Sequence, residues 1–278
     1  MESRNASGVL AGFLMPHPPV LVPAVGGGRE REAGATSAAC REAAARIAAL
    51  RPEALVVLSP HAPLFGDSVF VYPERVSSGS FARFGAPSTT LSFSCDGVLR
   101  NELVLALSAR GIPPGSLADG TVSGDPASGE GLDHGTLVPL WFVSAAVPSV
   151  PVVALSPWSG ESRRAILVGA AIAEAARNAG RRTCVIASGD LSHRVNRESP
   201  YGMAREGAIF DGAVCEALRS GTLESLESID PSLARLAGEC GLRSLMALAG
   251  LFPRARSEVL SYEAPFGIGY CVAEVTPL

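Results

Sequence analysis

Two short apolar runs in this chain end in the same way. Val9-Leu10-Ala11-Gly12-Phe13-Leu14-Met15 is followed by Pro16-His17-Pro18-Pro19, and Ala54-Leu55-Val56-Val57-Leu58 by Ser59-Pro60-His61-Ala62-Pro63. A continuous run of aliphatics of this length, bounded by proline, suits a strand buried on both faces of a parallel sheet. Proline removes a ladder donor and holds the residue before it extended, so each strand stops there. Two imidazoles therefore leave two buried strands on stiff, proline-flanked turns, as a pair of metal ligands would. Between them, residues 29–51 carry Cys40, Ala43, Ala44, Ile47 and Leu50 at helical spacing. Strand, crossover helix and strand make a βαβ unit, which brings both His turns to one end of the sheet. Ligands of open α/β sheets gather outside the carboxyl ends of their strands.

The remaining chain continues the alternation. Strands are expected at 68–72, 89–93, 150–155, 182–187, 258–262 and 267–275, and helices at 97–110, 136–146, 161–179, 204–220, 223–228 and 231–251. The polar stretch 118–133 is expected as a surface loop that delivers Asp133-His134-Gly135 to a helix start. The strand at 182–187 runs into Ser188-Gly189-Asp190-Leu191-Ser192-His193, a third apolar strand ending in a histidine-bearing loop. With no linker-like shift in composition, the 278 residues are expected to form a single α/β domain, a central, mostly parallel sheet flanked by helices on both faces.

Composition excludes several classes. A net charge of −4 without a basic cluster argues against nucleic acid as the partner. All 23 cationic residues are arginine, which removes Schiff-base and lysine-base mechanisms. Six cysteines spread singly, with no Cys-x-x-Cys pair, fit a reducing cytosol rather than a disulfide framework. The first apolar run is too short for a signal peptide, and no segment is long enough to span a bilayer.

Only four histidines are present, and three follow apolar strands. His17 and His61 are the expected ligand pair, with His193 and His134 left for acid/base work or substrate binding. Two histidines need a third donor, and two histidines with one carboxylate hold iron(II) on one face and leave the other open. The carboxylate candidates are Asp67, Asp133, Asp190, Glu239 and Glu263. Asp67 reads as a solvated turn residue. Asp133 and Asp190, each within three residues of a histidine, read as hydrogen-bond partners that fix an imidazole tautomer. Glu239 lies in an otherwise apolar helical stretch, where a carboxylate needs a cation or an i,i+4 pair with Arg243. Glu263 sits between the last two strands. Glu239 ranks first as third ligand, Cys240 second and Glu263 third.

Met15-Pro-His-Pro-Pro, Ser59-Pro-His-Ala-Pro, Asp133-His134-Gly, Ser188-Gly-Asp-Leu-Ser-His193 and Glu239-Cys-Gly-Leu-Arg, in that order, resemble the LigB-type class III extradiol ring-cleavage dioxygenases. The similarity is greatest to the bacterial branch that accompanies Memo-like, AMMECR-like and radical-SAM proteins, and it covers essentially the whole chain. The resemblance implies a central sheet flanked by helices and one non-haem Fe(2+). It implies His17 and His61 as iron ligands, His193 as acid/base and His134 as a second active-site histidine; Asp190 joins that catalytic group by its spacing to His193. The family's third ligand is a glutamate near the start of a C-terminal helix, a position that Glu239 or Cys240 can take here, and Memo-like relatives carry cysteine there. The implied reaction opens a catechol-type aromatic diol with O2 in the cytoplasm, in a homo-oligomer or with a small accessory subunit. The rival readings are a Memo-like metal-binding or partner protein without ring cleavage, and a zinc-dependent hydrolase. Phe81, Phe84, Trp141, Trp158 and Phe266 are the candidates for a ring pocket.

Overall fold

The structure, a computed structural model, describes residues 7–73, 75–115 and 131–278. In chain order the strands are β1 (Gly8–Met15), β2 (Ala54–Leu58), β3 (Val69–Phe70), β4 (Ser78–Phe81), β5 (Ala86–Ser92), β6 (Pro114–Gly115), β7 (Val152–Leu155), β8 (Arg182–Ser188), β9 (Ala255–Glu263) and β10 (Tyr270–Pro277). The helices are α1 (Pro23–Gly26), α2 (Gly34–Leu50), α3 (Gly97–Ala109), α4 (His134–Ala146), α5 (Ser162–Asn178), α6 (Arg205–Ser220), α7 (Pro231–Ala237) and α8 (Leu242–Ala249).

The main sheet has six strands in the order β7-β2-β8-β1-β10-β9. β7, β2, β8 and β1 are mutually parallel; β10 runs against β1 and β9 against β10. The sheet is thus mixed, with the parallel part in its first four strands. Every residue of β2 and of β7 is buried, the pattern of strands covered on both sides. Alternate side chains sort into two cores. Val56, Leu58, Val185 and Ala187 pack with Leu103, Val168 and Leu248 of α3, α5 and α8. Leu55, Val57, Cys184 and Ile186 pack with Ala43, Ile47, Leu137 and Leu140 of α2 and α4. Helices therefore cover both faces of a single α/β domain.

β8 lies between β1 and β2, so the first two strands are parallel without being neighbours. Their His turns still leave the same end of the sheet, now with the Ser188–His193 loop between them. Three expectations change in detail. The strand at 68–72 shrinks to β3, and β5 pairs with β4, which lies in residues read as loop. The helix expected over 231–251 is two helices: Gly238, at φ +66°, ends α7, and α8 starts only at Leu242. The loop expected at 118–133 lies outside the described residues as far as residue 130.

Candidate metal centre

At the carboxyl rim of β1, β8 and β2, three donor atoms converge. His17 Nε2 lies 3.0 Å from His61 Nε2 and 3.6 Å from Cys240 Sγ. Among the described residues, His17, His61 and Cys240 form the group of donors able to hold a metal ion, all within 4.8 Å of one another. Metal–nitrogen and metal–sulfur bonds of about 2.0–2.3 Å can bridge atoms at these separations.

The network around His17 fixes its ring and turns one nitrogen toward the cluster. Ser188 Oγ donates its only proton to the carbonyl oxygen of Gly135. It must therefore accept from His17 Nδ1, 2.9 Å away, and this assigns the Nδ1–H tautomer and leaves the Nε2 lone pair facing the cluster. Burial, reinforced by His61, His134 and His193, holds the His17 pKa well below its ordinary value. His61 and His193 are lowered chiefly by burial as well, and His134 falls to about 4 for the same reason, with His61 adding to it. Near neutral pH all four rings are uncharged bases, the form that binds a metal or takes up a proton. The Cys240 thiol is pushed well above its usual range by burial, with Asp190 and Glu239 adding to the effect. A bound cation would reverse this, because a coordinating thiol is deprotonated outright.

Cys240 owes its place to a close backbone approach. A Cβ on Gly189 would lie 2.2 Å from Gly241 Cα, and one on Gly241 2.8 Å from the Asp190 carbonyl. Only glycine at both positions lets the loop after β8 touch the turn between α7 and α8. The Gly241 amide then donates to the Asp190 carbonyl at 2.9 Å. The third donor is thus the residue ranked second from the sequence. Glu239, ranked first, turns its carboxylate away from the donors and accepts from the Leu242 amide, the first residue of α8, at 2.7 Å. It is buried enough for its pKa to rise to about 7. The expected Arg243 pair with Glu239 is not formed: Arg243 donates to Ser162 Oγ at 2.6 Å. Glu263, the third choice, accepts from the amide and hydroxyl of Thr36 at 2.7 and 2.6 Å, and Asp67 is exposed.

The other expected site residues surround the donors. His193 Nε2 is 3.6 Å from Cys240 Sγ, and the His134 ring lies 4.0 Å from that of His61. Asp133 and Asp190 do not hydrogen-bond an imidazole in this structure, contrary to the reading from spacing; Ser188 has that role for His17. Asp190 accepts from the His17 backbone amide at 2.9 Å, and burial raises its pKa to about 7. Asp133 caps α4 through the Thr136 amide and hydroxyl, and it accepts from Ser59 Oγ and Tyr72 OH. It therefore ties the His61 turn to the helix that begins at His134. Of the five aromatic candidates, Phe84 reaches the site, 5.1 Å from His134. Phe81 and Trp158 are core residues, and Phe266 lies under the Arg29 guanidinium. Ser188 was missed as a partner because a serine ending a strand carries no distinguishing signal. Tyr201, stacked on His193, was missed because it lies in an irregular loop.

Residues 11–273 match the family described as the catalytic LigB subunit of aromatic ring-opening dioxygenase. The chain is 32% identical over 266 residues to Protein CA_C1420 of Clostridium acetobutylicum, an alignment that covers 95% of this chain and 56% of that protein. It thus spans about half the length of that curated relative. The fold is similar to that of the crystal structure of uncharacterized protein JW3007 from Escherichia coli K12, at a TM-score of 0.60 and 16% identity, over 95% of this chain and 99% of that one. With the family match running across nearly every element that builds the histidine rim, this chain belongs to the LigB family of aromatic ring-opening dioxygenase subunits.

Proposed function

We propose that the protein is a non-haem iron(II) extradiol dioxygenase that opens a catechol-type aromatic diol with O2. The observation that carries the reading is the convergence of His17, His61 and Cys240 donors beside two further uncharged imidazoles. The donor set fits a transition metal, since two nitrogens and one sulfur with one ring tautomer already fixed can be gathered by one cation. It departs from the two-histidine, one-carboxylate set in its sulfur. When bound, iron(II) would supply a centre where diol and dioxygen meet, which removes the entropic barrier to their encounter.

The chain's own residues do the rest. His193 is neutral at the rim and can take a proton from a diol hydroxyl and later return it to the opened ring, with His134 as the second uncharged imidazole beside it. Asp190 holds the His17 turn through its backbone amide, and Asp133 holds the His61 turn through the Ser59 hydroxyl. No helix among the described residues is long and apolar enough to cross a membrane, and six cysteines spread singly, with no Cys-x-x-Cys pair, fit a cytoplasmic setting.

Anaerobic reconstitution with iron(II), followed by oxygen uptake on a panel of catechols, tests this reading. Uptake with a ring-fission chromophore is expected, and it should be lost in His17→Ala, His61→Ala and His193→Ala. Turnover retained in His193→Ala would remove it as the base. The sulfur at the third position favours a second reading, a metal-binding protein without ring cleavage, because thiolate is a softer donor than carboxylate. One equivalent of metal with no oxygen uptake on any diol would decide for it.

A further inference from the structure

The His193 ring carries another ring on one of its faces. Tyr201 stacks on it with centroids 5.4 Å and planes 25° apart, yet Tyr201 is 62% exposed. Burial does not hold that ring in place; its loop does. Ser199 Oγ donates to the His193 carbonyl, and the Tyr201 amide donates to Ser199 Oγ at 3.0 Å. The Gly202 carbonyl accepts from Arg194 Nε at 3.2 Å, and the Ala204 amide donates to the Arg194 carbonyl at 3.0 Å. The residues on both sides of Tyr201 are thereby tied to His193 and Arg194, so the phenol keeps its position over the imidazole while most of its surface faces solvent.

The opposite end of the site is built alike. Phe84, 37% exposed, meets His134 edge-on at 5.1 Å. From there the rings run His134 to His61 at 4.0 Å and His61 to His17 at 4.7 Å, and Cys240 Sγ lies 3.6 Å from both His17 and His193. The row of donors therefore begins and ends with a partly exposed aromatic ring. Exposed ring surface beside a polar site gains most from a flat apolar ligand, through stacked or edge-to-face contact.

We infer that Tyr201 and Phe84 are substrate-contacting walls that select a planar ring, with Tyr201 the specificity-determining residue on the His193 side. This deepens the ring-cleavage reading and rests on it for the substrate class. The test separates binding from turnover. Metal-loaded protein under argon is titrated by calorimetry with 4-nitrocatechol, a planar diol, and with azide, a small anion that has no ring. Tyr201→Ala and Phe84→Leu should each weaken 4-nitrocatechol about tenfold and leave azide affinity and metal content unchanged; Tyr201→Phe should stay within about twofold of wild type. Unchanged 4-nitrocatechol affinity in Tyr201→Ala would overturn the inference. So would an equal loss for both ligands, which would make Tyr201 only a support for His193. Tight 4-nitrocatechol binding that depends on Tyr201, with no oxygen uptake on any catechol of the panel, would remove ring cleavage and leave this inference standing.

Discussion

Two polar clusters at different places on the sheet handle charge in opposite ways. Near the β9–β10 hairpin, Arg46 reaches Glu42 at 2.9 Å, Glu258 at 2.8 Å and Glu274 at 2.6 Å. The three carboxylates raise the Arg46 pKa, so the cluster supplies its own cation. At the rim of β1, β8 and β2 the donors are the reverse: buried imidazoles held below their ordinary pKa and a thiol held above it. Both shifts favour the uncharged forms. Exposed ion pairs contribute little to stability because water screens them. Buried uncharged donors aimed at one point gain their best partner only when a cation arrives. The contrast separates a cluster that ties elements together from one organised to bind.

Removing a donor should break that contrast most severely. His17→Ala or His61→Ala is expected to abolish stoichiometric metal binding while the protein stays folded, measured by metal analysis after anaerobic reconstitution. Ser188→Ala comes next. It touches no metal, but it frees the His17 tautomer, and metal affinity should fall about 10–100-fold, read by competition with a chelator. An unchanged affinity would show that the serine does not set the ring.

A smaller effect comes from Asp211, which accepts from the Ser192 amide and the Tyr262 hydroxyl, both at 2.7 Å, and so anchors the loop that carries His193. Burial raises its pKa from 3.8 to about 6. A carboxyl raised in the folded state binds more protons there than in the unfolded chain. Its contribution is therefore fully present below pH 3.8 and is lost as pH rises through about 6. Relative to wild type, Asp211→Asn should gain on the order of 1–3 kcal/mol between pH 4 and 7, followed by thermal unfolding across that range. A pH-independent difference would contradict the shift. Smallest of all, Arg46→Ala should cost less than about 1 kcal/mol and leave metal content untouched; loss of metal would erase the distinction between the two clusters.

Much of this arrangement is legible in the chain. The proline after each apolar run fixes where β1 and β2 stop, so the pairing of His17 with His61 follows from the sequence. The Ser188–His193 loop follows the same logic. The third donor is harder to read because Glu239 and Cys240 are adjacent, and the choice depends on a turn. Read as one continuous helix, residues 231–251 make Glu239 a costly inward carboxylate. Gly238 breaks that helix, and the contact of Gly189 with Gly241 sets the direction of the turn. That contact joins residues 52 positions apart and leaves no periodic trace in the sequence. Ser188 and Tyr201 were hidden for a related reason, since their roles come from which ring they touch and not from the segment they occupy.

Among the described residues, sulfur and not the neighbouring carboxylate completes the donor set. Cobalt(II) substitution reads it directly, because a bound thiolate gives a sulfur-to-metal charge-transfer absorption in the near ultraviolet and a carboxylate gives none. One equivalent of cobalt with that band, lost in Cys240→Ser and kept in Glu239→Gln, is the expected result. Cobalt bound without the band, or lost in Glu239→Gln and kept in Cys240→Ser, would contradict it.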